Sequence, residues 1–242
     1  MLPMARLPQL SAPVTLGDQA YAAIREAIVT GSLKRGEKVT ERGLAELLTI
    51  SATPVREALR RLEQDRLVER TGPRSVRIAQ FGKEELREFT MIEDALRALA
   101  ARLAAEKSTA AQRREMCACL DEADALRGEL REVAPGTDRE RDLVIGIQSL
   151  MRRFHSLVDE ASGNATLMQM LRTVDAFGAA ERHDSLLSEV RGEHRTIVDE
   201  RYRQHRAIYD AIAAGNGERA EELMRAHSHS SNTSRIASRF PD

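Results

Sequence analysis

The segment from Ser51 to Leu62 carries side chains that could bind nucleic acid, in the order that a DNA-reading helix requires. Pro54 suits the first turn of a helix, and a hydroxyl residue just before it can cap the helix start. Apolar residues recur at i, i+3, i+4 and i+7, which predicts one buried stripe. Arg56 and Arg60 lie on the opposite side, four residues apart. Because a helix fits the DNA major groove and its N-terminal residues reach base edges, the segment predicts a recognition helix.

The elements around this segment follow from hydrophobic patterns and turn residues. Helices are predicted over about residues 18–30 and 40–48, before the recognition helix. Short strands are predicted over 67–70 and 75–79, with a hairpin tip at residues 71–74 between them. Two short helices, a third helix and an arginine-bearing hairpin are the parts of a winged helix-turn-helix.

Residues 18–78 resemble the DNA-binding domain of the GntR family of bacterial repressors. The run from Ser51 to Leu62 is the most diagnostic part, and residues 28–37 and 44–48 also match. The chain departs from the family pattern at Ala52, where a basic residue is usual. It also departs at residues 65–66, where Asp-Arg replaces an acidic-Gly turn. The resemblance implies that seven residues contact DNA: Arg42, Ser51, Thr53, Arg56, Thr71, Gly72 and Arg74.

Three histidines lie on predicted helices among apolar neighbours: His155, His205 and His227. Imidazoles from separate helices that converge inside a bundle can build a metal site. A single helical histidine is more often a polar core or surface residue, so the residues alone leave both interpretations open. His183, His194 and His229 are interpreted as surface residues.

From residue 82 onward the pattern is helical, with breaks at 135–136, 163–164 and 215–217. Residues 83–230 resemble the all-helical FCD effector domain of the FadR subfamily. The resemblance rests on Phe154-His155 before Ala161-Ser162-Gly163-Asn164, and on the spacing of apolar and small residues from His205 to His227. In many members three histidines and one aspartate hold a divalent metal that helps to bind a small carboxylate. The resemblance implies a divalent metal at His155, His205 and His227, and three histidine nitrogens can form one face of a zinc or nickel site.

Two departures bear on the effector pocket that the resemblance implies, which includes Glu93, Arg97 and Met151. The usual aspartate position, one turn before the first histidine, is Met151, and a thioether is a poor ligand for hard or borderline divalent ions. The family commonly has an arginine four residues before a glutamate, whereas here Glu93 precedes Arg97.

The totals fit this two-part organisation. The chain has 242 residues and a net charge of −1, but residues 1–80 contain 13 Lys and Arg against 9 Asp and Glu. A basic N-terminal part suits binding to nucleic acid. No apolar run approaches the roughly 20 residues that span a bilayer, so we expect no membrane partner. Cys117 and Cys119 cannot easily bridge at i, i+2 on a helix, and a cytoplasmic location is expected.

The predicted fold is mainly α, with an N-terminal winged helix-turn-helix and an all-α helical-bundle effector domain. We expect an arm over residues 1–17, the DNA-binding domain over 18–80, the effector and dimerisation domain over 83–231, and a polar tail over 232–242.

The predicted function is that of a ligand-responsive transcriptional regulator, not an enzyme, which binds a pseudo-palindromic double-stranded DNA operator as a homodimer. The expected effector is a small organic acid that shifts the placement of the DNA-binding domains. Two alternatives remain: a DNA-binding regulator with a purely structural helical domain, and a metalloenzyme that uses the three histidines. Ligand-induced thermal stabilisation separates the first alternative, and turnover of a small acid without DNA separates the second.

Overall fold

A computed structural model describes residues 14–80, 82–174 and 195–240. The chain divides into two compact units, Met1–Gln80 and Phe81–Asp242. The first unit contains a small sheet among short helices, whereas the described part of the second contains helices joined by short turns and no strand. The prediction of a mainly α fold with a winged helix-turn-helix and a helical bundle is confirmed.

The first unit has three helices and a three-stranded antiparallel sheet in its described residues. Its strands lie in the order β1-β3-β2, so β2 and β3 form the predicted hairpin and β1 adds a strand that the sequence did not indicate. The elements in chain order are α1 (Leu16–Val29), β1 (Lys38–Thr40), α2 (Glu41–Leu48), α3 (Ala52–Gln64), β2 (Val68–Gly72) and β3 (Ser75–Ile78).

The core of this unit is the stripe predicted on the recognition helix. Val55, Ala58, Leu59 and Leu62 are completely buried, and α3 packs on α1 and α2. Burying side chains of this size stabilises the unit by about 1.5–3 kcal/mol for each large one. The stripe thus fixes which face of α3 remains exposed.

The second unit is a bundle in which α4 packs along α9, and α5 packs along α6. Phe154, Ile208, Ile212 and Met224 are fully buried in its main hydrophobic cluster. Its elements are α4 (Lys83–Lys107), α5 (Ala110–Glu132), α6 (Asp138–Ala161), α7 (described over 165–174), α8 (Arg195–Ala213) and α9 (Gly217–Arg239).

Two predicted boundaries were wrong. The first helix begins at Leu16 rather than at residue 18, because Thr15 and Asp18 form a reciprocal capping box. The last helix continues to Arg239, so the predicted polar tail from residue 232 is mostly helix. Its extension is held by burial, since Asn232, Arg235 and Ile236 are all less than 10% exposed. The predictions for residues 1–13, 175–194 and 241–242, including His183 and His194, lie outside the described residues.

Candidate DNA-binding surface and histidine cluster

The start of α3 presents hydroxyl and cationic side chains on the face opposite the core. Ser51 is the N-cap residue, yet its side chain makes no capping hydrogen bond. Ser51, Thr53 and Arg56 are exposed, whereas the intervening Pro54 and Val55 are buried. This alternation leaves polar groups and the helix N-terminus available to an anionic partner.

Four of the seven predicted DNA contacts line one open groove in this unit: Arg42, Ser51, Arg56 and Arg74. Ala52 also lines the groove, at the position where a basic residue was expected. Thr53, Thr71 and Gly72 do not line it. Thr71 lies on β2, with its hydroxyl 3.2 Å from that of Ser75, beside a bulge in the hairpin.

The carboxylate of Glu41 is the element of this surface that the sequence did not reveal. Sequence reasoning gave acidic residues at this helix start only a dipole role, but Glu41 is 2% exposed and contacts the Arg56 guanidinium at 3.0 Å. An acidic residue fifteen positions before an arginine carries no local signal, so only the fold could show this pair.

The second unit brings the three predicted histidines together. His155 comes from α6, His205 from α8 and His227 from α9, and each offers a ring nitrogen within 4.8 Å of the others. The Nε2 atoms of His155 and His205 are 3.0 Å apart. Phe154 lies edge-on to the rings of both, so the hydrophobic core supports the cluster directly.

Hydrogen bonds at the outer nitrogens fix two of these rings. His205 donates from Nδ1 to the carbonyl oxygen of Arg201 at 2.6 Å, and His227 donates from Nδ1 to Oε1 of Gln204 at 2.8 Å. Because those oxygens accept, the proton sits on Nδ1 in each ring and the Nε2 lone pair is left for another partner. This is the arrangement in which outer-shell groups orient metal-binding histidines.

The electrostatics of the cluster keep these two rings neutral. Burial lowers the pKa of His205 to about 4. Burial also lowers the pKa of His227 well below its ordinary value, with smaller contributions from protonation of the neighbouring His205 and from the charges of Arg201 and Arg97. Neutral imidazole is the form that binds a metal, so the residues present fit a divalent ion with three nitrogen ligands.

Glu93 and Arg97, two of the predicted effector-pocket residues, belong to a buried ion-pair network in the same unit. Arg97 Nη1 lies 2.6 Å from Asp159 Oδ2, and Arg235 Nη2 lies 2.9 Å from Glu93 Oε2. Glu93 and Arg97 also face each other at 3.8 Å. Sequence reasoning missed Asp159, although it follows His155 by four residues on the same helical face. It missed Arg235 because that residue fell in the predicted tail.

The third predicted pocket residue, Met151, is partly buried and packs against two hydrophobic clusters, one of which includes Phe154. The potential metal-ligand group of histidine, cysteine and acidic side chains in the described residues consists of His155, His205 and His227. His229 is outside this group: its side chain is 75% exposed and its Nδ1 lies 3.3 Å from Asp94 Oδ2.

An N-terminal winged helix-turn-helix and a helical unit with an inward-facing polar cluster define a DNA-binding regulator with a ligand-sensing domain. Comparison with known proteins agrees. Residues 16–78 match "Bacterial regulatory proteins, gntR family", and residues 88–230 match the FCD domain. The chain therefore belongs to the GntR family of bacterial regulators, in the group with an FCD domain, as its sequence indicated. It is a DNA-binding transcriptional regulator with a C-terminal effector-binding domain.

Individual relatives support the assignment over nearly the whole chain. A probable D-xylose utilization operon transcriptional repressor of Paenarthrobacter nicotinovorans is 32% identical over 216 residues, covering 88% of this chain and 85% of that protein. The regulator LutR of Bacillus subtilis is 30% identical over 226 residues, with coverage of 83% and 92%. These relatives are named as regulators of transcription, not as enzymes.

Among solved structures, Escherichia coli McbR/YncC shares the fold, with a TM-score of 0.73 at 21% identity over 94% of this chain and 100% of that one. In the part of the chain that the structure describes, no helix has the length and apolar character needed to cross a membrane.

Proposed function

We propose that this regulator binds a pseudo-palindromic operator as a homodimer, with one α3 helix in each of two major-groove half-sites. The observation that carries the proposal is the exposed polar start of α3 above a fully buried stripe, because that helix can enter a groove without exposing core residues. Arg42, Arg56 and Arg74 supply the positive charge. Ser51, Thr53, Thr71 and Gly72 complete the proposed contacts through hydroxyl and backbone groups.

Selection of bound sequences from a random double-stranded DNA library tests this proposal. We expect an inverted repeat whose half-sites are centred about 10 base pairs, or a multiple of one helical turn, apart. Sedimentation of the complex should give two chains per duplex. A single unrepeated half-site bound by one chain, or no enriched sequence, would contradict the dimer proposal.

In the helical unit we propose a divalent metal at His155, His205 and His227, with zinc or nickel as the candidates. Support comes from the two Nδ1-protonated rings, whose Nε2 lone pairs can coordinate a metal, and from the 3.0 Å contact between the Nε2 atoms of His155 and His205, whose place a metal ion would take. Three protein nitrogens leave a coordination position for water or effector. A bound ion would supply a Lewis acid that attracts an anionic effector.

We further propose that the effector is a small organic acid and that its pocket includes Glu93, Arg97 and Met151. Arg97 is the cation that suits a carboxylate, and it now pairs with the buried Asp159. Burial is the main cause of the lowered pKa of His227, and the positive charge of Arg97 adds to it. Arg97 therefore acts electrostatically on the histidine cluster. An acid bound there would compete with Asp159 for the guanidinium.

Thermal unfolding with a panel of small acids, and with D-xylose as a neutral sugar suggested by the Paenarthrobacter relative, tests the effector proposal. A ligand at 100 times its dissociation constant stabilises the folded state by about 2.7 kcal/mol. We expect stabilisation by at least one acid and loss of that effect in Arg97→Gln. If no acid in the panel shifts the transition of metal-loaded protein, the proposal of an organic-acid effector is contradicted.

A further inference from the structure

Glu41 is a buried carboxylate that faces two arginines of the DNA-binding unit. It is the first residue of α2, and its side chain is 3% exposed. Its Oε2 lies 3.0 Å from both Nε and Nη2 of Arg56 on α3. Its Oε1 lies 3.7 Å from Nη1 of Arg70 on β2. One acidic group therefore lies between the recognition helix, α3, and the wing, which is the hairpin formed by β2 and β3.

A carboxylate at this depth loses most of its hydration, and it is tolerated when paired with cations and placed at a helix N-terminus. The same helix offers a contrasting pair, since Arg42 and Glu46 are 91% and 66% exposed at 2.8 Å. Exposed pairs contribute little because water and salt screen them. The two glutamates of α2 therefore differ in burial while each contacts an arginine proposed to bind DNA.

The geometry at Arg56 leaves a defined edge of its guanidinium for DNA. Glu41 engages the Nε–Nη2 edge, so the terminal Nη1–Nη2 edge carries the donors that can reach a pair of acceptors. Guanine O6 with N7, or two phosphate oxygens, supply such a pair. The Arg56 side chain is 44% exposed. Holding it in place before binding reduces the rotamer entropy lost in the complex.

The wing is linked to the same carboxylate. Arg70 donates from Nε to Oε2 of Glu63 on α3, at 3.2 Å, while its Nη1 points to Glu41. The backbone N–H of Glu41 also donates to the carbonyl oxygen of Arg74 at 3.0 Å. Glu41 therefore contacts the wing hairpin at two places, the strand β2 through Arg70 and the turn before β3 through Arg74.

We propose that Glu41 is a positioning residue for DNA recognition, which orients the Arg56 guanidinium and ties the wing to the recognition helix through Arg70. This inference rests on the proposed contact between Arg56 and DNA. For the loss of the Glu41 carboxylate, it predicts the opposite change in DNA affinity from the one expected from electrostatic repulsion alone. Removing a negative charge near DNA should strengthen binding, whereas removing the group that orients Arg56 should weaken it.

Operator affinity of the full chain tests the inference with two identical changes on one helix, Glu41→Gln and Glu46→Gln. Loss of a charge-assisted hydrogen bond predicts roughly tenfold weaker operator binding for Glu41→Gln. Glu46→Gln should leave affinity within about twofold or raise it slightly. Glu41→Asp keeps the charge and should bind between wild type and Glu41→Gln, and it replaces that variant if Glu41→Gln does not fold. Equal affinities of wild type, Glu41→Gln and Glu41→Asp would overturn the inference.

A double-mutant cycle separates positioning from a general structural effect. In an Arg56→Ala background, Glu41→Gln should cause a smaller loss of operator binding than in wild type, because the Arg56 guanidinium is gone and only the link to the wing through Arg70 is left to remove. Full additivity of the two losses would overturn the inference while leaving the Arg56 contact intact. An Arg56→Ala variant with unchanged affinity would contradict the proposed contact itself and the inference with it.

A shallower salt dependence in Arg56→Ala would assign its contact to phosphate, and a loss of discrimination at one guanine would assign it to a base.

Discussion

The candidate DNA-binding surface and the histidine cluster are assembled in opposite ways. The surface comes from one continuous stretch between residues 40 and 74, in which helix starts, the buried stripe and the hairpin are each encoded by near neighbours. The cluster comes from three helices, with His155 and His205 separated by 50 positions in the sequence and His205 and His227 by 22. A site built from neighbours can be inferred from local chemistry, whereas a site built from distant helices depends on packing.

The largest effect is expected when the buried aromatic ring that packs against the histidines is removed. Phe154→Ala should reduce the free energy of unfolding of the helical unit by about 3–5 kcal/mol, since the ring is completely buried against His155 and His205. Denaturant unfolding measures the change. Ile145→Ala, on the same helix and 48% exposed, is the control and should cost much less. Equal effects of the two substitutions would show that the aromatic ring does not support the cluster.

The second largest difference is expected in the salt dependence of binding at the two sites. If six to ten phosphates are neutralised, operator affinity falls by about 10³-fold or more between 50 mM and 200 mM salt. Binding of a metal to neutral imidazoles should change far less over that range. Parallel measurements of operator and zinc affinity at several salt concentrations provide the comparison. A flat response of operator binding would contradict docking through Arg42, Arg56 and Arg74.

Acid should act on the histidine cluster through protonation. The folded-state pKa of His205, about 4, lies below the ordinary value of 6.5, so the unfolded chain binds more protons between these limits. Stability of metal-free protein is therefore expected to fall as the pH decreases from about 6.5 toward 4. One such histidine contributes up to about 1.4 kcal/mol per pH unit. His205→Gln should show a shallower decline in unfolding free energy, and identical pH profiles would refute the burial effect.

The smallest test concerns the turn before the wing. Arg66 has a φ of +57°, in the left-handed region that favours glycine, at the position where the family pattern has glycine. Arg66→Gly should raise the free energy of unfolding by about 1 kcal/mol. Arg66→Ala keeps the Cβ atom and should give no such gain, which separates backbone relief from loss of the arginine. A destabilised Arg66→Gly protein would show that the side chain, rather than the backbone, governs this turn.

Sequence reasoning succeeded where the signal was local. The stripe from Val55 to Leu62 and the hairpin were predicted, and the recognition helix was correctly separated from its neighbours. It failed where tertiary contacts decided the result. The short strand β1 exists through pairing with β3, and the end of α9 is helical because Arg235 and neighbouring residues are buried. Spacing alone does not reveal either contact.

The same distinction applies to the candidate sites. The sequence pattern singled out the three histidines, a family resemblance favoured a metal site there, and the structure brings them together. The groups that orient them, the Arg201 carbonyl and the Gln204 amide, follow from the path of α8. The partners of Glu93 and Arg97 likewise come from α6 and α9 rather than from neighbours in sequence alone. The Arg201 contact is made within one helix, whereas the contacts from Gln204, Asp159 and Arg235 join different helices and depend on how those helices pack.

The most direct test of the account is the zinc content of the full chain after chelator treatment, equilibrium dialysis against zinc and elemental analysis. Wild type and His229→Ala should each bind one ion per chain in the cluster, since the exposed His229 lies outside it. His205→Ala should lose at least about tenfold in zinc affinity. Zinc binding that is absent from wild type, or unchanged in His205→Ala, would contradict the assignment of the histidine cluster as the metal site of this regulator.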